Sequence, residues 1–242
     1  MLQVKVKDLH NTRMLRSRYF HFLASPSDAQ AQASELRNMI SDLDIAEDQK
    51  KPLIIWEPAP AVCIPENLES CFEAVRLVGV FSPNHIELQS LFGLRNEAFK
   101  RTVIESLAST FLSTSVGISR EGIVLIRVGE HGSLAMKKGG PRCWQEPFYR
   151  NENPAEEAKT VDTTGAGNAF LGGFGVGYLR TNSVSEASPY GAVASSFVLE
   201  QIGLPTLSTD EDSGNELWNG SCPIARFEKL KSRLDGVSNS SE

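Results

Sequence analysis

The sequence predicts an α/β protein with a mainly parallel sheet covered by helices on both faces. Three observations predict it: short apolar runs the length of buried strands, polar segments of helical spacing between them, and proline-bearing turns that close the strands. Tyr19–Ala24 (YFHFLA) reads as the first strand. Ser25-Pro26-Ser27-Asp28 then opens a polar segment whose apolar residues Ala29, Ala33, Leu36 and Ile40 fall on one helical face. Leu53–Trp56 (LIIW) is a second, buried strand, stopped by Glu57-Pro58-Ala59-Pro60. Leu77–Phe81 (LVGVF) repeats that pattern and is closed by Ser82-Pro83, after which Asn84–Phe92 and Asn96–Leu112 are expected as helices.

Ile123–Val128 is a further buried strand, and GEHGSLAMKKGG after it reads as a glycine turn with a short antiparallel strand. Gly165–Arg180 and Glu186–Gln201 are expected as consecutive helices, the second closed by Gly203 and Pro205. Thr206–Asn219 is acidic and polar, Pro223–Leu234 reads as a last helix, and Gly236–Glu242 as a frayed end. No internal repeat is present. Ligands of such sheets collect at the carboxyl ends of the strands, which directs attention to the turns that follow them.

The 242 residues, 40% apolar and 22% charged, have the balance of an ordinary globular protein. A net charge of −6 argues against a nucleic-acid binder, whose affinity comes from clustered Lys and Arg, so no DNA partner is expected. The four cysteines are far apart and follow neither a zinc nor a redox spacing, so free thiols in a reducing compartment are expected. No apolar run reaches the roughly 18–20 residues of a membrane helix, and the start lacks a signal peptide's apolar stretch. A cytoplasmic protein without membrane contact is the expectation, a nuclear one remaining open.

The most informative segment is VDTTGAGNAFLGG, Val161–Gly173. Gly165 and Gly167 let the backbone approach a ligand closely, and a helix starting there aims unpaired N–H groups and a positive dipole end at an anion. The same residues also suit a plain helix start with Thr164 as its cap. A second segment, SPNHIE, sets Asn84 and Glu87 three apart after a buried strand, on one helical face. The pair suits a hydrated Mg2+ ion held against a triphosphate, and equally a capping box. The third, Arg127–Gly132, has glycines that would let a nucleotide lie against the turn, or simply mark a hairpin.

In this order the three segments resemble the ribokinase-like (pfkB-type) carbohydrate kinase family. The likeness covers roughly Tyr19 to Pro205: DTTGAGN is similar to the signature DTxGAGD, Asn84 and Glu87 to NxxE, and Gly129 with Gly132 to GxxG. GAGNAFLGG with WEPAP and EQIGLP looks most like a fungal branch, the maintenance-of-killer-type proteins, which is linked to upkeep of a double-stranded RNA virus.

The resemblance implies a three-layer α/β/α sandwich, with the nucleotide-binding portion in 1–205 and an acidic linker and C-terminal helix in 206–242. It implies transfer of the ATP γ-phosphoryl group to a hydroxyl of a sugar or similar small molecule, with Mg2+ held indirectly by Glu87, and it admits a homodimer. The main-chain amides of Gly165, Ala166 and Gly167 would form the anion hole, and Asp162 and Thr164 a neighbouring K+ site. Gly191 and Ala192 match positions that line the adenine, where relatives often carry an amide. Glu57 stands where relatives often carry an acidic group near the phosphates.

Two departures bear on activity. Asn168 replaces the signature's aspartate, the general base, and an amide cannot take the acceptor's proton; such assistance is worth about 10²- to 10⁴-fold in rate. The family also has about a hundred residues before the region matching Tyr19, including the diglycine acceptor motif and the lid, against eighteen here, so the acceptor region is expected to be missing. The expected function is a nucleotide-binding kinase-like protein with weak or lost transfer. The alternative is a non-catalytic interaction or regulatory protein that keeps the fold. His85 and His131 are expected at the surface, His10 and His21 show no partner pattern, and Trp56 is expected to pack at a strand end.

Overall fold

The computed structural model describes residues 4–47, 50–150 and 154–238, with side chains to residue 234. It divides into two compact units, residues 1–128 with 134–143, and residues 129–133 with 144–242. A six-stranded sheet runs in the order β1-β2-β3-β4-β5-β6, with β1 (Tyr19–Ala24), β2 (Leu53–Pro58), β3 (Val80–Phe81) and β4 (Ile123–Arg127) paired in parallel. Next come β5 (Ser133–Lys137) and β6 (Cys143–Gln145).

In the first unit, β1 leads into α1 (Pro26–Ser41). Ser25 Oγ accepts the Asp28 N–H at 3.2 Å and Pro26 sits in the first turn, so the start is both capped and pre-shaped. Its buried stripe is Pro26, Ala29, Ala33, Leu36 and Ile40, matching the predicted spacing. After β2 the chain forms α2 (Leu68–Ala74), which the sequence reading did not anticipate, and after β3 come α3 (His85–Leu91) and α4 (Arg101–Ser113). The core gathers on aromatic rings: Trp56 lies 5.0 Å from Phe81, Phe81 4.5 Å from Phe111, and Phe72 4.8 Å from Phe111. The Trp56 indole N–H donates to Ala24 O at 3.1 Å, which makes its complete burial affordable.

Two expected boundaries shift. The strand read as Leu77–Phe81 is confined to Val80–Phe81, because Val75–Leu77 closes a 3-10 turn first. The helix read as Asn96–Leu112 begins at Arg101. Gly93 adopts φ 75°, and the Gln89 side-chain amide donates to Glu97 O at 3.1 Å, so this side-chain bond holds the preceding residues out of the helix.

The second unit contains a short α5 (Pro154–Glu157) and two 16-residue helices, α6 (Ala166–Thr181) and α7 (Val184–Leu199). Glycines let α6 and α7 pack closely: a Cβ at Gly173 would lie 2.4 Å from Tyr190 O, and one at Gly177 would lie 2.8 Å from the Tyr190 ring. The acidic segment forms a hairpin, β7 (Leu207–Thr209) against β8 (Glu216–Trp218), rather than an extended run. α8 (Pro223–Ser238) follows, helical through residues where fraying is expected; 239–242 lie outside the described residues. Arg226 on α8 stacks 3.8 Å over the Phe197 ring and pairs with Glu200 at 2.8 Å.

Candidate functional site

The start of α6 is built by the chain just before it. Val161 N–H donates to Leu199 O at 2.7 Å, tying the segment to the end of α7. Asp162 Oδ1 accepts the Thr164 N–H at 2.9 Å, and this bond holds the Asp162 carboxyl below the usual carboxylate range. Gly165 then turns left-handed at φ 82° and is itself the N-cap residue, with no side-chain cap. Thr164 is therefore not the helix cap: the left-handed turn places the glycine at that position instead. Ala166 N–H closes on Thr163 O at 3.2 Å, and the first full helical bond is Ala169 N–H to Gly165 O at 3.0 Å. The amides of Gly167 and Asn168 thus precede the helical ladder, at the positive end of a 16-residue helix. Gly165 and Asn168 are exposed. A phosphate-sized anion fits this donor set without any side-chain charge.

Elsewhere in the same unit, Gly129 and Gly132 adopt φ 57° and 83°, and Gly132 N–H donates to Gly129 O at 3.0 Å. The Gly132 position is obligatory, since a Cβ there would lie 1.9 Å from Gln145 O, whereas Gly129 borders open space. Gly191 and Ala192 are filled against protein. A Cβ at Gly191 would meet the Phe170 ring at 2.7 Å, and Ala192 packs in a cluster with Phe148, Tyr149, Val193, Phe197 and Leu230.

The first unit carries a separate charged cluster at the carboxyl ends of β2, β3 and β4. Asn84 and Glu87 form the reciprocal capping box of α3: Asn84 N–H donates to Glu87 Oε2 at 2.7 Å, and Glu87 N–H to Asn84 Oδ1 at 2.8 Å. Glu57, at the end of β2, is 7% exposed. Its Oε1 lies 2.7 Å from Arg127 Nη2, and its Oε2 lies 2.9 Å from His21 Nε2. The same Arg127 nitrogen lies 3.7 Å from Glu87 Oε2 and donates to Ser82 O at 3.0 Å. Burial pushes the Glu57 carboxyl up, but the His21 hydrogen bond and the charges of Arg127 and His21 outweigh it and hold Glu57 below the usual range. Glu87 goes the other way: burial raises it, the Asn84 amide and Arg127 only partly offset that, and Glu57 adds to the rise. Burial, with Glu57 nearby, also raises the Tyr19 hydroxyl.

This arrangement leaves no place for a divalent ion bound directly to both carboxylates, because Arg127 Nη2 stands between them. Mg2+ takes near-octahedral oxygen ligands at about 2.0–2.1 Å, yet both Glu57 oxygens, Glu87 Oε2 and Asn84 Oδ1 already accept hydrogen bonds or ion pairs. Among the described residues no group of three or more His, Cys, Asp or Glu is arranged to hold a metal.

Sequence reasoning missed Arg127 and His21. The signal for Arg127 was an arginine ending an apolar strand, IVLIR, since a guanidinium in that place needs a carboxylate. His21 was read without a partner because Glu57 is 36 residues away and meets it only when β1 and β2 pair. His85 is half-buried against Phe99 at 5.9 Å rather than a surface residue. Trp56 is buried as expected. The four cysteines are free thiols, with burial pushing Cys63 and Cys71 up to about 12. Among the described residues no helix is long and apolar enough to cross a membrane.

A mainly parallel sheet with helices and a helix opened by a left-handed glycine define an α/β protein of the ribokinase-like fold class. Residues 31–211 match the pfkB family carbohydrate kinase, and the chain belongs to that family. It is 29% identical over 236 residues to an uncharacterized protein of Schizosaccharomyces pombe, covering 94% of this chain and 62% of that protein. Against Protein MAK32 of Saccharomyces cerevisiae it is 30% identical over 220 residues, covering 88% of this chain and 55% of that one. The Arabidopsis thaliana ribokinase, solved with ribose and ATP, superposes with a TM-score of 0.56 at 22% identity, over 81% of this chain and 54% of that one. This chain therefore spans less than two thirds of the length of each of these relatives.

Proposed function

We propose that this chain is a nucleotide-binding pfkB-family protein that seats the phosphates of ATP on the main-chain amides of Gly165, Ala166, Gly167 and Asn168. The observation that carries the reading is the left-handed Gly165, which opens α6 with two amides ahead of its first helical bond. ATP is the nucleotide chosen because a relative of the same fold was solved with it. In this reading Thr164, Gly129 and Gly132 border the nucleotide, Gly191 keeps α7 tight against Phe170 of α6, Ala192 packs beside Phe197 and Leu230 instead of lining the adenine, and Asp162 with Thr164 shapes a K+ site. Residues 1–205 form the kinase-like portion and 206–242 an appended segment, and a homodimer belongs to the same reading.

Transfer to a sugar-like hydroxyl is weak or absent. An anion hole stabilises the charge of the moving phosphoryl group, but the acceptor's proton needs a base, and the Asn168 amide cannot be one. A non-catalytic interaction or regulatory role is favoured by the first unit, whose two buried carboxylates are spent on Arg127 and on capping α3.

Calorimetric titration with ATP tests the seat, and a chain that gives no binding heat refutes it. ATP turnover over a panel of sugars and nucleosides then compares wild type with Asn168→Asp. The substitution is expected to raise turnover toward the 10²- to 10⁴-fold range of general-base assistance, about 3 to 5 kcal/mol. Rapid turnover by wild type with no gain in the variant refutes the missing-base account and leaves the seat standing.

A further inference from the structure

We infer that Arg127 occupies the charge position a divalent cation would take between Glu57 and Glu87, so that these two carboxylates hold no divalent metal. The inference rests on the cluster itself and not on the ATP reading above.

Two buried carboxylates, Glu57 at the end of β2 and Glu87 in the first turn of α3, require a nearby positive charge, and a mobile metal ion or a tethered guanidinium can supply it. Here the guanidinium does. One nitrogen, Nη2, lies 2.7 Å from Glu57 Oε1 and 3.7 Å from Glu87 Oε2, between the two side chains. Its place is fixed from behind by donation to Ser82 O at 3.0 Å and by the parallel bridge that joins Arg127 to Asn84, the residue capping α3. Ser82 is fixed in turn, its hydroxyl donating to Leu125 O at 2.6 Å. His21 fills the second Glu57 oxygen, and Tyr19 beside Glu57 and Cys63 beside Glu87 also face the cluster.

Arginine stays charged across the pH range in which proteins are folded, and it cannot exchange with solvent ions. A metal approaching Glu87 meets a fixed positive charge 3.7 Å from the oxygen it seeks. Glu87 is also held by its own helix, because Oε2 accepts the Asn84 N–H, so swinging out to a metal uncaps α3. Arg127 Nη2 is thus engaged by Glu57, Glu87 and Ser82, while its Nε is buried without a hydrogen-bond partner.

The test is a Mn2+ titration followed by electron paramagnetic resonance on wild type, Arg127→Thr and Arg127→Met, with circular dichroism to verify folding. Wild type is expected to leave the free Mn2+ signal intact at concentrations where a folded variant depletes it, a gain of at least about tenfold in affinity. Depletion by wild type that Glu87→Gln abolishes overturns the proposal, and so does a folded Arg127 variant that takes up no Mn2+. Should neither variant fold, the wild-type Mn2+ titration with its Glu87→Gln control decides: an intact free Mn2+ signal supports the proposal, and depletion that Glu87→Gln abolishes overturns it.

Discussion

Arg127 and Glu57 form a buried ion pair, Nη2 to Oε1 at 2.7 Å, with side chains only 12% and 10% exposed. A pair this far from water carries a desolvation cost that only good geometry offsets, so its loss is asymmetric. Arg127→Met leaves Glu57 and Glu87 buried beside each other without a cation and is expected to cost about 3–5 kcal/mol. Adding Glu57→Gln should recover part of that loss, because it removes the stranded charge. Urea denaturation of the two single variants and the double variant measures the coupling; additive losses would show that the pair does not act as a unit.

The two carboxylates of this cluster should give opposite pH signatures. Glu57 is held below its ordinary value of 4.5, so its contribution is fully present above 4.5 and is lost as pH falls through the lower folded value. Glu87 is raised above 4.5, so it contributes nothing below that value and costs stability as pH rises through its higher folded value. Glu57→Gln is therefore expected to flatten the acid-side loss of stability. Glu87→Gln is expected to remove a decline lying above 4.5. Denaturation midpoints followed from acid to neutral pH compare the slopes, and identical slopes in wild type and both variants contradict the assignment.

Gly165 has room for a side chain, since a Cβ would meet only Val198 Cγ1 at an ordinary 3.6 Å, but its φ of 82° does not suit one. Gly165→Ala should therefore act through the backbone, costing roughly 1–2 kcal/mol of folding stability and loosening the amides that face the anion. Gly165→Asn should be milder, because asparagine visits that region more readily. Thermal melting with and without ATP reads both effects; an alanine variant with wild-type stability and wild-type ATP response would remove the seat's main structural argument.

Neighbouring glycines of α6 should behave oppositely. At Gly173 a Cβ would lie 2.4 Å from Tyr190 O and 2.7 Å from Ala194 Cβ, so Gly173→Ala forces α6 and α7 apart and is expected to cost about 1–3 kcal/mol. At Gly172 nothing lies within 4 Å, so Gly172→Ala gains helix propensity and is expected to be neutral or stabilising by up to about 1 kcal/mol. Chemical denaturation of the two variants decides, and equal effects would mean that the close approach of the helices is not what Gly173 serves.

By itself the sequence determined what depends on local pattern and on short motifs. The stripe Ala29, Ala33, Leu36 and Ile40, the buried LIIW strand and the glycine start of α6 are each written within a few residues, because helical and strand periodicity and a glycine's left-handed turn are local properties. Tertiary structure decided where charge is spent. His21, Glu57, Glu87 and Arg127 are scattered over more than a hundred positions, and only parallel pairing of β1 to β4 brings their side chains together. The α4 start and the hairpin of the acidic segment were likewise settled by contacts outside helical spacing, the Gln89 side chain on Glu97 O and the pairing of Ser208 with Leu217. An ion pair leaves no periodic trace in a sequence: its energy depends on distance and burial, and both exist only after the chain has folded.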